Sequence, residues 1–245
     1  MKLAHDWIAP DWPAPDRVKS MITTRNGGVS AGAYASFNLG LRCGDDERAV
    51  CANRMQLRSY LPQDPKWMRQ VHGSRVVAAD GMIEIPAADA GVARRPGTVC
   101  VVMIADCMPV LLCDRAATVV GIAHAGWRGL SSGVIENTVR EMGVAPTELF
   151  AYLGPAIGPQ VFEVGAEVRD AFIAADAAAA QAFKPHREHK WLADLFRLAQ
   201  QRLARCGITR IFGGGLCSYT DSARFYSYRR DKASGRMAAL IWLDP

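Results

Sequence analysis

Histidine is scarce in this chain, five in 245 residues, and other absences narrow the field with it. No stretch approaches the roughly 18 consecutive apolar residues of a membrane-spanning helix. The opening segment MKLAHDWIAPDWPAPD has no apolar core of leader length and carries Asp and Pro early. A soluble, cytoplasmic protein with no membrane partner is therefore expected. The seven cysteines are odd in number and include no CxxC pair, which argues against a disulfide framework and suits a reducing compartment. Neither sign of charge dominates, since 29 Lys and Arg against 24 Asp and Glu leave a net +5. The basic residues are scattered, with no stripe interleaved with aromatics. Nucleic acid is thus not the expected partner, while small anions are. There is no internal repeat, and the one Pro-rich segment is residues 9–15.

What is present is half apolar and long enough for a sizeable core, so residues 1–245 read as a single domain. RVKSMITTR reads as a strand leading into the glycine turn NGGVSAG. Residues 46–61 have helical spacing at Val50, Met55, Leu57 and Leu61. KWMRQVHGSRVVAAD reads as two short strands about His72-Gly73, and GTVCVVMIADC as a strand buried on both faces. A helix is expected over 130–143, capped by Ser131 or Ser132 and stopped by Gly143, and another over 191–207, stopped by Gly207. Late strands fall in ITRIFGGG and MAALIWL. Strands and helices mix without strict alternation, which predicts an α+β domain with mixed β-sheets and outer helices.

One stretch stands out. ADCMPVLLCDRAATVVGIAHAGWRG, residues 105–129, places an Asp, a Cys and a His inside two strongly apolar runs. The runs read as a hairpin. A tight turn centred on Arg115-Ala116 pairs Cys113 with Thr118, Leu111 with Val120 and Cys107 with His124. Directly opposed residues bring their Cβ atoms to ~4.5–5.5 Å on one face. A slip of one residue separates them, and Pro109 demotes the first strand to an edge or delays its start. A close Cys and His are either a nucleophile with its base or two ligands of a metal, most simply zinc. A third ligand favours the metal. His72 is the candidate, at the end of an apolar strand beside a glycine; His5 lies in the N-terminal arm, and His186 and His189 in the charged loop KPHREHK.

Other groups offer anion binding. AGWRGLSSG combines glycines with a helix start, and Arg128 adds a bidentate donor. TTRNGGVS places Arg25 beside Gly27-Gly28, though at no P-loop spacing. Asp106 either points away from Cys107 across the strand or caps the next turn. FYSYRRD holds aromatics and arginines suited to stacking or to the core.

Taken together, TTRNGGVS (23–30), FNLG (37–40), QVHG (70–73), ADCMPVLL (105–112), HAGWRG (124–129), LGPAIGP (153–159) and FYSYRRDKASGR (225–236) resemble one family across nearly the whole chain. It comprises bacterial proteins once called multicopper polyphenol oxidases or laccase-domain proteins and now described as purine nucleoside phosphorylases. The resemblance implies a layered α/β/β/α fold and one catalytic zinc on His72, Cys107 and His124. It implies phosphorolysis of adenosine, inosine, guanosine and methylthioadenosine to base and ribose 1-phosphate, with some adenosine deamination. Arg25, Asn38 and Arg128 lie inside matching motifs and are the expected substrate or phosphate contacts. The expected state is a monomer or weak homodimer. Three alternatives stay open: a metal-independent Cys–His hydrolase, a copper polyphenol oxidase and a binding module without turnover. Five histidines are too few for a blue-copper centre plus a trinuclear cluster, although copper could occupy the zinc site.

Overall fold

The apolar strands of this chain outnumber the helices that could cover them, and in the computed structural model, which describes residues 5–244, two sheets cover one another. Strands are numbered in chain order. The smaller sheet is antiparallel and runs β1 (Val18–Ile22), β12 (Met237–Leu243), β4 (Cys100–Ile104). The larger is mixed and runs β11 (Arg210–Gly213), β7 (Leu149–Leu153), β5 (Met108–Asp114), β6 (Val120–Ala125), β3 (Ala90–Ala93), β2 (Val76–Ala78). A separate three-stranded flap joins β8 (Glu163–Gly165), β10 (Lys190–Ala193) and β9 (Phe183–Pro185). The helices are α1 (Glu47–Arg58), α2 (Trp127–Ser131), α3 (Val134–Met142), α4 (Ala166–Ala175), α5 (Leu195–Arg205) and the single turn α6 (Tyr228–Asp231).

Side-chain alternation assigns the layers. On the larger sheet, Leu111, Cys113, Val120 and Ile122 face inward and pack against Val102, Ile104, Ala239 and Ile241 of the smaller sheet. Their neighbours Val110, Leu112, Ala123 and Ala125 face the other way, against Leu130, Val134, Val139 and Leu203 of α2, α3 and α5. The outer face of the smaller sheet, with Met21, Val101 and Leu240, is covered by Leu57 of α1 together with Phe37 and Leu39. The result is α/β/β/α, an α+β fold with mixed sheets as expected.

Several local expectations are corrected. The hairpin loop is centred one residue later than expected, because the Asp114 carboxylate gathers the N–H groups of Thr118 and Val119 at 2.7 and 2.9 Å. The register consequently pairs Cys113 with Val120 and Pro109 with His124, and Cys107 has no partner within the ladder. Pro109 lies in a central strand, not an edge. Its carbonyl accepts from Gly154 N–H, so its missing donor faces the end of β7, past the last paired residue Leu153, and no ladder bond is lost. The single helix expected over 130–143 is two, broken at Gly133 with φ 88°, and neither Ser131 nor Ser132 caps α3. The helix expected from 191 begins at Leu195, capped by Asp194, while Trp191–Ala193 pair in the flap. In α1 the inner position between Val50 and Leu57 belongs to Asn53, not Met55; Asn53 spends its amide on Ser30, Ser36 and Asn38. Of the two strands expected about His72, only the second forms, since 66–69 makes isolated bridges.

Candidate metal centre

The site forms where the smaller sheet runs out. Its last pair is Met237 with Ile104, while the larger sheet continues through His124, whose side chain emerges on the inter-sheet face. Between β4 and β5 the chain bends at Ala105–Cys107, with Asp106 at φ 85°, a left-handed conformation that Asp tolerates better than most residues. The bend is pinned by the Asp106 carboxylate, which accepts from Ser218 Oγ and from Arg229 N–H, both at 2.7 Å. Asp106 therefore holds the turn, the second of its two expected roles. Cys107 leaves the bend on the inter-sheet face, diagonal to His124. Extending the ladder places Gly126 opposite Cys107, and a Cβ at Gly126 would lie 2.6 Å from Cys107 Sγ. Only glycine leaves room for the thiol there.

One buried carboxylate organises both histidines. Asp89, fully buried, accepts the consecutive N–H groups of Val71, His72 and Gly73 at 3.1, 2.9 and 2.8 Å. That wrap turns His72 into a left-handed φ of 59° and swings its ring toward the sheet end. The same carboxylate lies 3.0 Å from His124 Nδ1, which leaves Nε2 free for a ligand. This is the outer-shell arrangement that orients metal-binding imidazoles. The two rings meet edge to face with centroids 5.0 Å apart. Nothing singled out Asp89 in advance; the available signal was a lone acid inside the small apolar run AADAGVA.

The electrostatics favour an anionic sulfur. Burial alone would push the Cys107 thiol up, but the charge of His124 and hydrogen bonds from His124 and His72 outweigh it and bring the pKa down to about 6. Burial alone would lower His124, but the Cys107 charge and the Asp89 hydrogen bond raise it to about 9. Asp89 itself is raised by burial, yet His124 and the Gly73 and Val71 amides hold it below the usual carboxylate range. Without a cation the pair thus carries a thiolate and an imidazolium. A metal ion would displace the proton between them. The three ligand atoms lie within 4.8 Å of one another, and among the described residues this is the one group of three such side chains. The ~3.3–3.6 Å ligand separations of a tetrahedral zinc site fall inside that span, with a fourth position left open. The residues fit a single ion of this kind.

The triad opens into a cavity of about 690 Å³, a size usual for small-molecule sites. Trp67, Trp127, Phe162 and Tyr228 supply aromatic wall, and Arg128 lines it as expected. Arg25 and Asn38 do not. Arg25 Nε and Nη1 donate to the carbonyls of Ala35 and Ser222, and its guanidinium stacks on Tyr226. Asn38 accepts from Gly40 N–H and Arg236 N–H, so it shapes the loop beneath a lining residue. In FYSYRRD, Phe225 and Tyr226 belong to the core, while Tyr228 and Arg229 face the cavity. Arg42, Arg54, Arg69 and Arg236 complete the basic wall; Arg236 ends the motif FYSYRRDKASGR, while the other three, scattered along the chain, carried no sequence signal.

With this geometry in view, comparison with known proteins is informative. Residues 19–244 match a family model described as multi-copper polyphenol oxidoreductase laccase. The chain is 52% identical over 239 residues to a Pseudomonas aeruginosa protein named purine nucleoside phosphorylase, covering 97% of this chain and 98% of that one. It is also 52% identical to the Escherichia coli purine nucleoside phosphorylase YfiH, covering 96% and 98%. A crystal structure of a Neisseria meningitidis protein superposes with a TM-score of 0.95 at 49% identity, covering 98% of this chain and all of that one.

Proposed function

The chain belongs to the multi-copper polyphenol oxidoreductase laccase family, and from that premise we propose that it is a zinc-dependent purine nucleoside phosphorylase. The observation that carries this reading is one open His72–Cys107–His124 triad at the wall of an arginine-lined, aromatic-walled cavity. The names of its relatives support phosphorolysis. The substrates are adenosine, inosine, guanosine and methylthioadenosine, and residues 1–245 act as one unit in the cytoplasm.

His72, Cys107 and His124 hold the ion, and Asp89 keeps His124 Nδ1 protonated so that Nε2 ligates. When bound, zinc supplies a Lewis acid and lowers the pKa of coordinated water. Arg128 and Arg229 bind orthophosphate beside the triad and aim one oxygen at the anomeric carbon. Trp127, Phe162 and Tyr228 enclose the purine and exclude water. As C1′–N9 breaks, positive charge grows on the sugar and negative charge on the base, and the arginines keep the phosphate in line. The same pocket supports deamination of adenosine, in which water replaces the 6-amino group and ammonia leaves.

Two other readings are weaker. The lowered Cys107 pKa favours a metal-independent Cys–His hydrolase, which makes His72 dispensable. A multicopper oxidase needs more histidines than the chain brings together. His186 and His189 stand beside Glu163 and Glu188 in the flap, and His5 lies against Trp7. Purified protein incubated with adenosine, with and without phosphate, separates the readings. Adenine released only with phosphate, abolished by a chelator, restored by zinc and absent from His72→Ala and Cys107→Ser, is the expected result. Inosine formed without phosphate reports the deaminase. Chelator-resistant activity that survives His72→Ala supports the hydrolase, and no product from zinc-loaded protein overturns the nucleoside reading.

A further inference from the structure

The cavity carries more positive charge than one phosphate requires. Six arginines line it: Arg42, Arg54, Arg69, Arg128, Arg229 and Arg236. Elsewhere in the chain eight arginines pair with carboxylates, whereas among the described residues none of these six does. Asp106 is the one acidic side chain in the lining, and both its oxygens are already engaged by Ser218 and Arg229 N–H. Six guanidinium groups crowded into one cavity repel one another unless an anion sits among them. An orthophosphate dianion balances only two.

The six also divide by position. Arg128 and Arg229 flank the triad, one in the helix that follows His124, the other tied through its N–H to the residue before Cys107. Arg42, Arg54 and Arg236 gather instead on the 38–43 loop. Arg54 Nε donates to the Leu39 carbonyl at 2.9 Å, and its guanidinium stacks 3.8 Å over Trp67. Arg236 N–H donates to Asn38 Oδ1 at 2.8 Å, and its side chain crosses Gly40, where a Cβ would lie 2.8 Å from Arg236 Cγ. Arg42 follows on the same loop with no hydrogen-bond partner for its side chain among the described residues. Burial lowers the pKa of Arg54, which marks it as a cation held partly out of water, and no carboxylate pairs with it among the described residues.

We propose that Arg42, Arg54 and Arg236 form a second anion subsite, and that the cavity takes purine nucleosides carrying a phosphate on the 5′ oxygen. This rests on the phosphorolysis reading for the first subsite. With C1′ facing orthophosphate on Arg128 and Arg229, the arm of the ribose that reaches furthest from C1′ is C5′, and an anion carried there suits the second group of arginines. The reaction keeps the same balance. C1′–N9 breaks with its electron pair going to the base, an oxygen of hydrogen phosphate bonds C1′, and the proton it sheds goes to the base. The products from adenosine 5′-monophosphate are adenine and ribose 1,5-bisphosphate.

Calorimetry on zinc-reconstituted protein, in phosphate-free buffer, tests the subsite with adenosine 5′-monophosphate and adenosine as probes. Tighter binding of the monophosphate by at least about tenfold is expected, as for charge-assisted bidentate contacts, with the margin shrinking as NaCl rises. Arg42→Ala should reduce the monophosphate-to-adenosine affinity ratio by about tenfold. Equal affinities, or a ratio indifferent to Arg42→Ala, overturn the inference. Adenosine phosphorolysis in the same preparation keeps the two claims apart. Adenosine cleaved without any preference for the monophosphate sinks the subsite alone. Arg42-dependent preference without cleavage of either probe sinks phosphorolysis and leaves the subsite.

Discussion

Cys107 and Cys113 stand six positions apart at opposite ends of one strand run, on the same face, and their chemistry is opposite. Cys113 lies in the sealed inter-sheet core opposite Val120 and Phe150, where burial, with Asp114 adding to it, pushes its thiol up to about 12. Cys107 lies where the smaller sheet has ended, and two imidazoles hold its thiol at about 6. Burial acts in the same direction at both ends. The difference is what else occupies the face. At the closed end an aspartate gathers the turn and no cation offsets the burial. At the open end another aspartate is spent on orienting two histidines. A buried cysteine is inert by default and becomes a ligand or nucleophile only where positive groups converge on it.

The largest expected effect that tests this contrast comes from the two glycines of β6 and its extension. Gly126→Ala puts a methyl 2.6 Å from Cys107 Sγ and 3.5 Å from His72 Cδ2. Elemental analysis should find bound zinc falling from stoichiometric to near zero, with phosphate-dependent base release lost alongside. Gly121→Ala, whose methyl would meet Met142 Sδ at 3.1 Å and Thr138 Cγ2 at 3.2 Å, should keep its zinc and lose only the ~1–3 kcal/mol of an overpacked core in denaturant titration. Zinc loss in both would break the distinction between the two ends.

A smaller effect separates the two aspartates. Asp89→Asn should weaken zinc about 10–100-fold, the usual cost of losing a partner of a ligating histidine, read by competition with a chromophoric chelator. Asp114→Asn, which loosens the turn at Thr118 and Val119, should leave zinc affinity unchanged. Equal losses would show that the carboxylates act on general stability.

The gentlest test is pH on metal-free protein. Cys107 is depressed from its ordinary 9.0 to about 6, so the stability it contributes is present above 9 and is lost as pH falls through about 6. His124 is raised from its ordinary 6.5 to about 9, so its contribution is present below 6.5 and is lost as pH rises through about 9. Between about 6.5 and 9 the two trends oppose one another, so the melting temperature of metal-free protein should stay nearly level across that range, while iodoacetamide labelling of Cys107 should fall as pH drops through about 6. Cys113 should remain unlabelled across that range until the protein unfolds.

Much of the architecture was legible locally. Alternating or continuous apolar runs marked the strands that became β1, β4, β5, β6, β11 and β12, because a strand's two faces are written directly into neighbouring residues. Helix ends were less legible. Gly133 breaks a pattern that looks continuous from 130 to 143, and Trp191–Ala193 satisfies helical spacing yet is drawn into a sheet by β8 and β9. The pairing of Cys107 with His124 was inferred through a register that is wrong by two. The inference kept both residues on one face because a shift of two preserves the pleat.

The sequence alone thus pointed to residues that could carry the chemistry: one cysteine and two histidines set in or beside apolar runs, where polar ligands have no reason to be unless something holds them. Tertiary structure alone decided how they are held and what they face. Asp89 is an unremarked acid until the fold wraps three amides and an imidazole around it. Arg42, Arg54 and the pair Arg229 and Arg236 come from three separate segments and form one wall only in the folded chain. Strand patterns are local and can be read along the chain; a convergent electrostatic field belongs to positions distant in sequence, and no local pattern encodes it.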